Sequence, residues 1–511
     1  MAGRVVLVGA GPGDVGLITR AGQRWIERAD VIVYDYLVNP TLLSWARPDA
    51  ELILAGKHGG GPRVDQEEIL RILLHHAQAG KTVVRLKGGD PFLFGRGGEE
   101  AEAAVRAGLD VEVVPGVSSA FAVPAYAGIP LTHRDICSSV AIATGYEYPE
   151  KPELAVPWEH LGHRGQTLVL LMTQRQLRKN MERLRQAGRT PDTPVAVIQW
   201  GTRARQRTVV GTLADIADRV EEEGLRPPVV AVIGEVVRLR ERLSWFERKP
   251  LFGKSIVITR PRPEAERLAA LFADLGAEAI VFPTIEIAPP ESFAALDAAL
   301  TRPEEFDWIV FTSANGVQAF MERLRFLKQD IRAWHRARIA AIGPETAKAV
   351  EKFALKVDVT ADEFRAESLA LALASHGVAG KRFLLPRAAG ARKVLPEQLR
   401  SLGAQVVEVE AYRSIVPVAP NAVFVAESLR RGEIDLVTFT SSSTVHHFVK
   451  LIRDEQGVPL EKLPVACIGP ITADTARSYR FDVQVEAQEF TAAGLVRAVV
   501  EHFSTAKGGR R

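Results

Sequence analysis

Apolar residues in this chain fall into short, β-branched runs set between segments of helical period. The first 137 residues carry R-V-V-L-V-G (4–9), A-D-V-I-V-Y-D-Y-L-V (29–38), E-L-I-L-A (51–55) and V-V-R-L-K (83–87), with helical patterns at Thr19–Arg28 and Gln66–Ala79 between them. Runs apolar on both faces suit strands covered by helices on each side, so this alternation predicts an α/β unit with a largely parallel sheet. A second α/β unit follows from about Ser138 to Val237, with strands at V-A-I-A-T, T-L-V-L-L-M, V-A-V-I-Q-W and V-V-A-V-I-G. Residues 245–253, W-F-E-R-K-P-L-F-G, read as an interdomain linker.

Beyond that linker the pattern repeats. G-K-S-I-V-I-T-R at Gly253 returns as G-K-R-F-L-L-P-R at Gly380, and L-G-A at Leu275 returns at Leu402. F-T-S-A-N-G-V at Phe311 returns as F-T-S-S-S-T-V at Phe439, and I-G-P-E-T-A at Ile342 as I-G-P-I-T-A at Ile468. The offsets are 127, 127, 128 and 126 residues, too regular for chance, so this half is expected to be two similar α/β lobes with a ligand cleft between them.

Two glycine-rich breaks stand at strand ends. In V-V-R-L-K-G-G-D-P-F-L-F-G-R-G-G-E-E (83–100), five glycines fall within eleven residues before an alanine-rich helical pattern, more than a plain α/β turn needs. That density points to a loop that contacts a ligand. G-A-G-P-G-D (9–14) resembles a dinucleotide fingerprint at Gly9 and Gly11, but Asp14 takes the third glycine's place and Pro12 lacks a backbone N–H. This argues against a nicotinamide site and for another nucleotide-like ligand.

Length and composition narrow the setting. A chain of 511 residues needs three or four folded units. A net charge of +3 provides no global field for nucleic acid, and no apolar run approaches the roughly 20 residues of a membrane span. Cys137 and Cys467 lie too far apart in sequence to suggest a metal or disulfide framework, and the N-terminus enters a strand without a signal peptide's apolar core. A reducing cytoplasm is the expected location.

The motifs carry two resemblances. L-V-G-A-G-P-G-D, A-D-V-I-V-Y-D-Y-L-V, R-L-K-G-G-D-P-F-L-F-G-R-G-G-E-E, V-P-G-V-S-S-A and A-G-I-P-L-T-H-R, in that order, resemble the uroporphyrinogen-III C-methyltransferases of the tetrapyrrole methylase family. The paired F-T-S and I-G-P motifs resemble uroporphyrinogen-III synthase. The resemblances imply a methyltransferase over residues 1–247 (units of about 1–137 and 138–247, with a cleft) and a bilobal synthase over 248–511. Lobe 1 would take about 253–288 with 414–511, and lobe 2 about 289–413, the chain crossing near Ile287 and Arg413.

The first resemblance implies that S-adenosylmethionine is lined by Pro12, Gly88, Gly89, Asp90, Leu93, Ser118, Ser119, Met172 and Gly201, with S-adenosylhomocysteine as product. It also assigns Asp35 as proton acceptor and Lys57 as proton donor. From the residues alone, Asp35 reads as a helix N-cap and Lys57 as part of a surface turn. The chemistry would be two methyl transfers to uroporphyrinogen III, at C2 and C7, giving precorrin-2. A substrate with eight carboxylates calls for cations: Arg85, Lys87, Arg96, His133 and Arg134 are available, and the loop residues Arg96 and Arg134 are preferred. Leu70, His58 and Tyr146 depart from the family pattern.

The second resemblance implies cyclisation of hydroxymethylbilane with inversion of ring D. Thr312, Ser313, Thr440, Ser441 and Ser442 would face substrate carboxylates, and Tyr412 would help the hydroxyl leave. Tyr412 reads equally well as a half-buried strand tyrosine. The family also implies a homodimer through the methyltransferase. Alternatives are a later corrin-ring methylase in the first half, or a non-catalytic tetrapyrrole-binding module in the second. A sirohaem-synthase arrangement would add an NAD-dependent domain, and the strand-end G-A-G-P-G-D read above lacks the third glycine of that domain's fingerprint.

Overall fold

Val5–Val8, Val31–Val33, Val83–Val84 and Leu86 are buried on both faces, so each run forms an interior strand with helices above and below. The computed structural model describes residues 3–55, 65–146, 156–163, 165–361, 365–417, 421–453, 457–458 and 460–508. Its first strands are β1 (Arg4–Gly9), β2 (Val31–Asp35), β3 (Glu51–Ala55), β4 (Thr82–Lys87) and β5 (Asp110–Val114). They form an all-parallel sheet in the order β3-β2-β4-β1-β5. Val5, Leu7 and Val83 pack one face against Ile69 and Leu73 of the helix Gln66–Gln78; Val6, Val8 and Val84 pack the other against Ile26 and Leu42.

The second unit holds β6 (Ser139–Thr144), β7 (Gln166–Leu171), β8 (Pro194–Gln199), β9 (Arg207–Thr212) and β10 (Val229–Ile233). Its order is β6-β7-β10-β8-β9, and every pairing except β6 with β7 is antiparallel. The sequence pattern missed β9, an edge strand without a fully buried residue. Residues 245–253 also differ from a free linker. Trp245 and Phe246 pack on Tyr126, Phe246 meets Phe252 edge-on, and Leu251 N–H donates to Leu275 O. The aromatic side chains dock the segment.

The remaining strands are β11 (Ser255–Ile258), β12 (Glu278–Val281), β13 (Glu286–Ala288), β14 (Trp308–Phe311), β15 (Arg338–Ala341), β16 (Val359–Thr360), β17 (Arg382–Ala388), β18 (Gln405–Ile415), β19 (Leu436–Phe439), β20 (Pro464–Cys467) and β21 (Asp482–Glu486). One sheet runs β12-β11-β19-β20-β21 and the other β13-β18-β17-β14-β15-β16. Placing β11-β12 over β17-β18 and β19-β20-β21 over β14-β15-β16 superposes the two orders, the spatial form of the sequence repeat. Among the described strands of this half, only β13, antiparallel to β18, has no counterpart. Internal contacts group residues Met1–Pro283 with Val418–Arg511 as one compact unit and Thr284–Pro417 as another.

Candidate functional site

Three loops meet at the carboxyl ends of β1, β4 and β5, and they meet through glycine. Gly11 and Gly89 exchange two backbone hydrogen bonds, Gly89 N–H to Gly11 O at 2.8 Å and Gly11 N–H to Gly89 O at 3.2 Å. A Cβ on Gly116 would lie 2.2 Å from Gly89 O and 2.7 Å from Gly9 Cα, so this contact admits no side chain. The other side of the β4 loop is open. Gly89, at φ +69°, would direct a Cβ towards Ser118 Cα and Ser119 N, both 3.8 Å away, and one on Gly88 would meet only Leu37 Cβ at 3.8 Å. The glycines therefore close three loops together and leave a bare backbone surface beside the start of the helix Ser119–Tyr126.

Asp90 shapes this surface. Its Oδ1 accepts from Phe92 N and Leu93 N, and its Oδ2 from Gly116 N at 3.0 Å. The Ser118 hydroxyl is likewise engaged, capping its helix by accepting from Ala120 N. Met172 is half exposed at φ +57°, while Gly201 presses on the helix, a Cβ there lying 2.4 Å from Val123. Phe94, Arg96, Trp200 and Thr202 also hold positive φ. Left-handed backbone at bulky residues persists only where surrounding contacts enforce it, and it gathers at functional sites.

Asp35 ends β2 and is not a helix cap. Its Oδ1 pairs with Arg85 at 2.5 Å and its Oδ2 accepts from Gly88 N at 3.3 Å. Arg85 in turn reaches Glu100 Oε1 at 3.2 Å, and Lys87 meets the same oxygen at 2.9 Å. Arg85, Lys87 and Glu100 are almost fully buried, so the first two are committed inside the protein rather than offered to a substrate. Burial, with Arg85 beside it, pulls the Lys87 ammonium below its usual range despite Glu100. Glu100 was missed in sequence; its place at the start of the helix Gly97–Arg106 was the available signal. Arg96 is exposed and paired with Glu99 at 2.6 Å, and Arg134 is exposed. Lys57 and His58 lie outside the described residues.

The second unit of the fold closes on these loops. Asp14 N donates to Thr202 Oγ1 at 3.1 Å, and Tyr126 OH to Asp14 Oδ2 at 2.7 Å. Burial, then Asp14, drives the Tyr126 phenol well above its ordinary range.

In the repeated lobes each F-T-S follows a strand at the point where strand order reverses, β14 beside β17 and β19 beside β11. Ligands of open α/β sheets bind at such points. Ser313 caps the helix Ala314–Phe326 by accepting from Gly316 N, and its Oγ lies 2.9 Å from Tyr412 OH. Tyr412 is buried on β18 with its hydroxyl on this motif. In the other lobe Ser441 Oγ accepts from Thr444 N, and Ser442 Oγ lies 2.8 Å from Thr475 Oγ1. Thr312 and Thr440 are partly exposed at the same strand ends.

Residues 4–217 match the family model of tetrapyrrole (corrin/porphyrin) methylases, and residues 266–497 that of uroporphyrinogen-III synthase HemD. Over 499 residues, 98% of each chain, the protein is 39% identical to porphyrin biosynthesis protein HemD of Ruminiclostridium josui. Over 242 residues, 47% of this chain and 95% of the other, it is 51% identical to the S-adenosyl-L-methionine-dependent uroporphyrinogen III methyltransferase of Methanosarcina barkeri. Among solved structures it is similar to uroporphyrin-III C-methyl transferase from Thermus thermophilus complexed with S-adenyl homocysteine. That match has 40% identity over 46% of this chain and 100% of that one, with a TM-score of 0.40.

Proposed function

We propose that this chain, which belongs to the HemD family of porphyrin biosynthesis proteins and joins a tetrapyrrole methylase to a uroporphyrinogen-III synthase, performs two consecutive reactions. The synthase half cyclises hydroxymethylbilane to uroporphyrinogen III with ring D inverted. The methylase half then methylates that product at C2 and C7 to give precorrin-2.

The observation that carries the reading is the glycine contact of the β1, β4 and β5 loops, which leaves a bare backbone cradle at Gly88 and Gly89. S-adenosylmethionine, when bound, supplies an electrophilic methyl group on a sulfonium. The residues fit such a ligand: open glycine backbone and the Ser118–Ser119 helix start, with Gly201 and Asp90 holding their loops in shape, and Pro12, Leu93 and Met172 supply apolar surface for it. Positioning accounts for most of the rate in such a transfer, because the leaving group is already good. Asp35 accepts a proton from the macrocycle, and its ion pair with Arg85 aims its carboxylate. Lys57 is the corresponding proton donor. Arg96 and Arg134 receive substrate carboxylates at the rim, where guanidinium pairs are strong and reversible.

In the synthase half, loss of the hydroxyl as water leaves an electrophilic azafulvene, and the protein's task is to fold the chain before it closes. Tyr412 donates to the departing hydroxyl, while its contact with Ser313 sets the phenol's direction. Thr312, Thr440, Ser441 and Ser442 offer hydroxyls and N–H groups to carboxylates. The protein works in the cytoplasm as a homodimer through the methylase half; no described helix is long and apolar enough to cross a membrane. Supplying hydroxymethylbilane with and without S-adenosylmethionine tests the whole reading. Uroporphyrinogen III alone is expected without the methyl donor and precorrin-2 with it; uroporphyrinogen I in both cases refutes it.

A further inference from the structure

The loop between β8 and β9, Trp200–Gln206, carries Gly201, and its anchor comes from the other half of the chain. Arg203 forms a buried ion pair with Glu278, which lies on β12, the edge strand of the synthase sheet. On its way there the Arg203 side chain crosses the β1 loop: a Cβ on Gly13 would sit 2.8 Å from Arg203 Cδ and 3.0 Å from its Cγ. Within the loop Thr202 N donates to Gln206 Oε1 at 2.9 Å, and Thr202 Oγ1 accepts from Asp14 N. Gln206 is tied to Glu247 of the connecting segment at 2.8 Å, and Glu247 to Arg240 at 2.6 Å. Arg205 stacks on Trp200 at 3.6 Å. Trp200 and Thr202 hold positive φ, so this loop has a shape its own sequence does not favour.

We infer that Glu278 is a positioning residue for the methyl-donor site: the synthase lobe, through Arg203, clamps together the two loops that carry Pro12 and Gly201. The inference rests on the placement of S-adenosylmethionine proposed above. Burial works against the Glu278 carboxylate, but the charge and hydrogen bond of Arg203, with Arg205 nearby, hold it ionised below the usual range. Removing either partner leaves a buried charge uncompensated, and such a group rearranges what surrounds it. The fused lobe is thereby part of the methylase site as well as the source of its substrate.

The test uses the full chain carrying Glu278→Gln, Arg203→Met, or both. Adenosylhomocysteine affinity is measured by calorimetry, KM and kcat for methyl transfer by turnover, and cyclisation of hydroxymethylbilane as the control. Each single substitution is expected to weaken adenosylhomocysteine and raise the KM for S-adenosylmethionine at least tenfold. It should leave kcat within about twofold and cyclisation unchanged. The double variant should be no worse than the poorer single one, because the two residues act through each other. Glu278→Asp, which keeps the charge, should recover part of the affinity. Unaltered affinity in Arg203→Met, or effects that multiply in the double variant, overturns the inference. A Glu278→Gln chain that also loses cyclisation overturns it too, by assigning the pair to the stability of the lobe. Failure of the unsubstituted protein to bind adenosylhomocysteine would instead overturn the placement of the methyl donor.

Discussion

Gly89→Ala separates a ligand-facing glycine from a conformational one, provided it is compared with Gly108→Ala. Both residues hold left-handed backbone, φ +69° and +74°. Alanine in that region costs roughly 1–2 kcal/mol of strain, less the few tenths to about 1 kcal/mol by which it stiffens the unfolded chain. A net loss of about 1 kcal/mol is expected at either site, or roughly 2–4 °C in the melting of a unit of this size. The surroundings differ. Nothing lies within 4 Å of a Cβ on Gly108, which ends the turn before β5. At Gly89 the new methyl would stand 3.8 Å from Ser118 Cα and Ser119 N, in the space assigned to the methyl donor. It meets no atom of the protein closely, so the fold should survive and the ligand should not. Titration with adenosylhomocysteine by calorimetry is the assay. Gly108→Ala should bind as the unsubstituted protein does, and Gly89→Ala at least tenfold more weakly, about 1.4 kcal/mol. Equal affinity in the two variants at equal stability refutes the cradle and returns the β4 loop to the role of a turn.

Three further outcomes are expected. Tyr412→Phe removes one hydrogen bond, worth roughly 0.5–1.5 kcal/mol, so uroporphyrinogen III formation should slow about 2- to 13-fold with ring inversion kept; an unchanged rate makes the residue structural. Glu100→Gln leaves Lys87 without its buried counter-charge and Arg85 with Asp35 alone, and should destabilise the methylase half by about 3–5 kcal/mol in urea unfolding, while a loss below about 1 kcal/mol contradicts the buried network. The Glu278 carboxyl titrates below its ordinary value, so its pairing stabilises the fold fully above the unfolded glutamate pKa of about 4.3 and is lost as pH falls through the depressed value. The acid limb of unfolding free energy against pH should therefore be shallower in Glu278→Gln, and superimposable limbs exclude the linkage.

What could be read from sequence was whatever lies close along the chain. Strand runs, the 126–128-residue repeat and the glycine density of 83–100 are local or periodic, and each maps onto an element of the fold. The partners were not legible, because they join positions far apart with no period between them: Asp35 with Arg85, Asp14 with Thr202, Arg203 with Glu278. This explains why Arg85 and Lys87 looked like cations available to a substrate. A basic residue on a buried strand needs a counter-charge: Glu100, from the following helix, serves both, and Asp35 of β2 serves Arg85 as well. The docking of the connecting segment was not legible for a related reason. Pro250 and Gly253 signal a break in regular structure, but Trp245, Phe246 and Phe252 are apolar surface that a free linker would leave in water. Aromatic residues in a supposed linker are evidence of docking, and docking is what brings Glu247 and Glu278 to the Trp200–Gln206 loop. The positive φ of Trp200 and Thr202 follows from the same cause, since a loop held from two sides can keep a backbone that isolated peptides avoid. The residues that hold the loops proposed to bind the methyl donor thus lie partly outside the segment whose motifs announce that site.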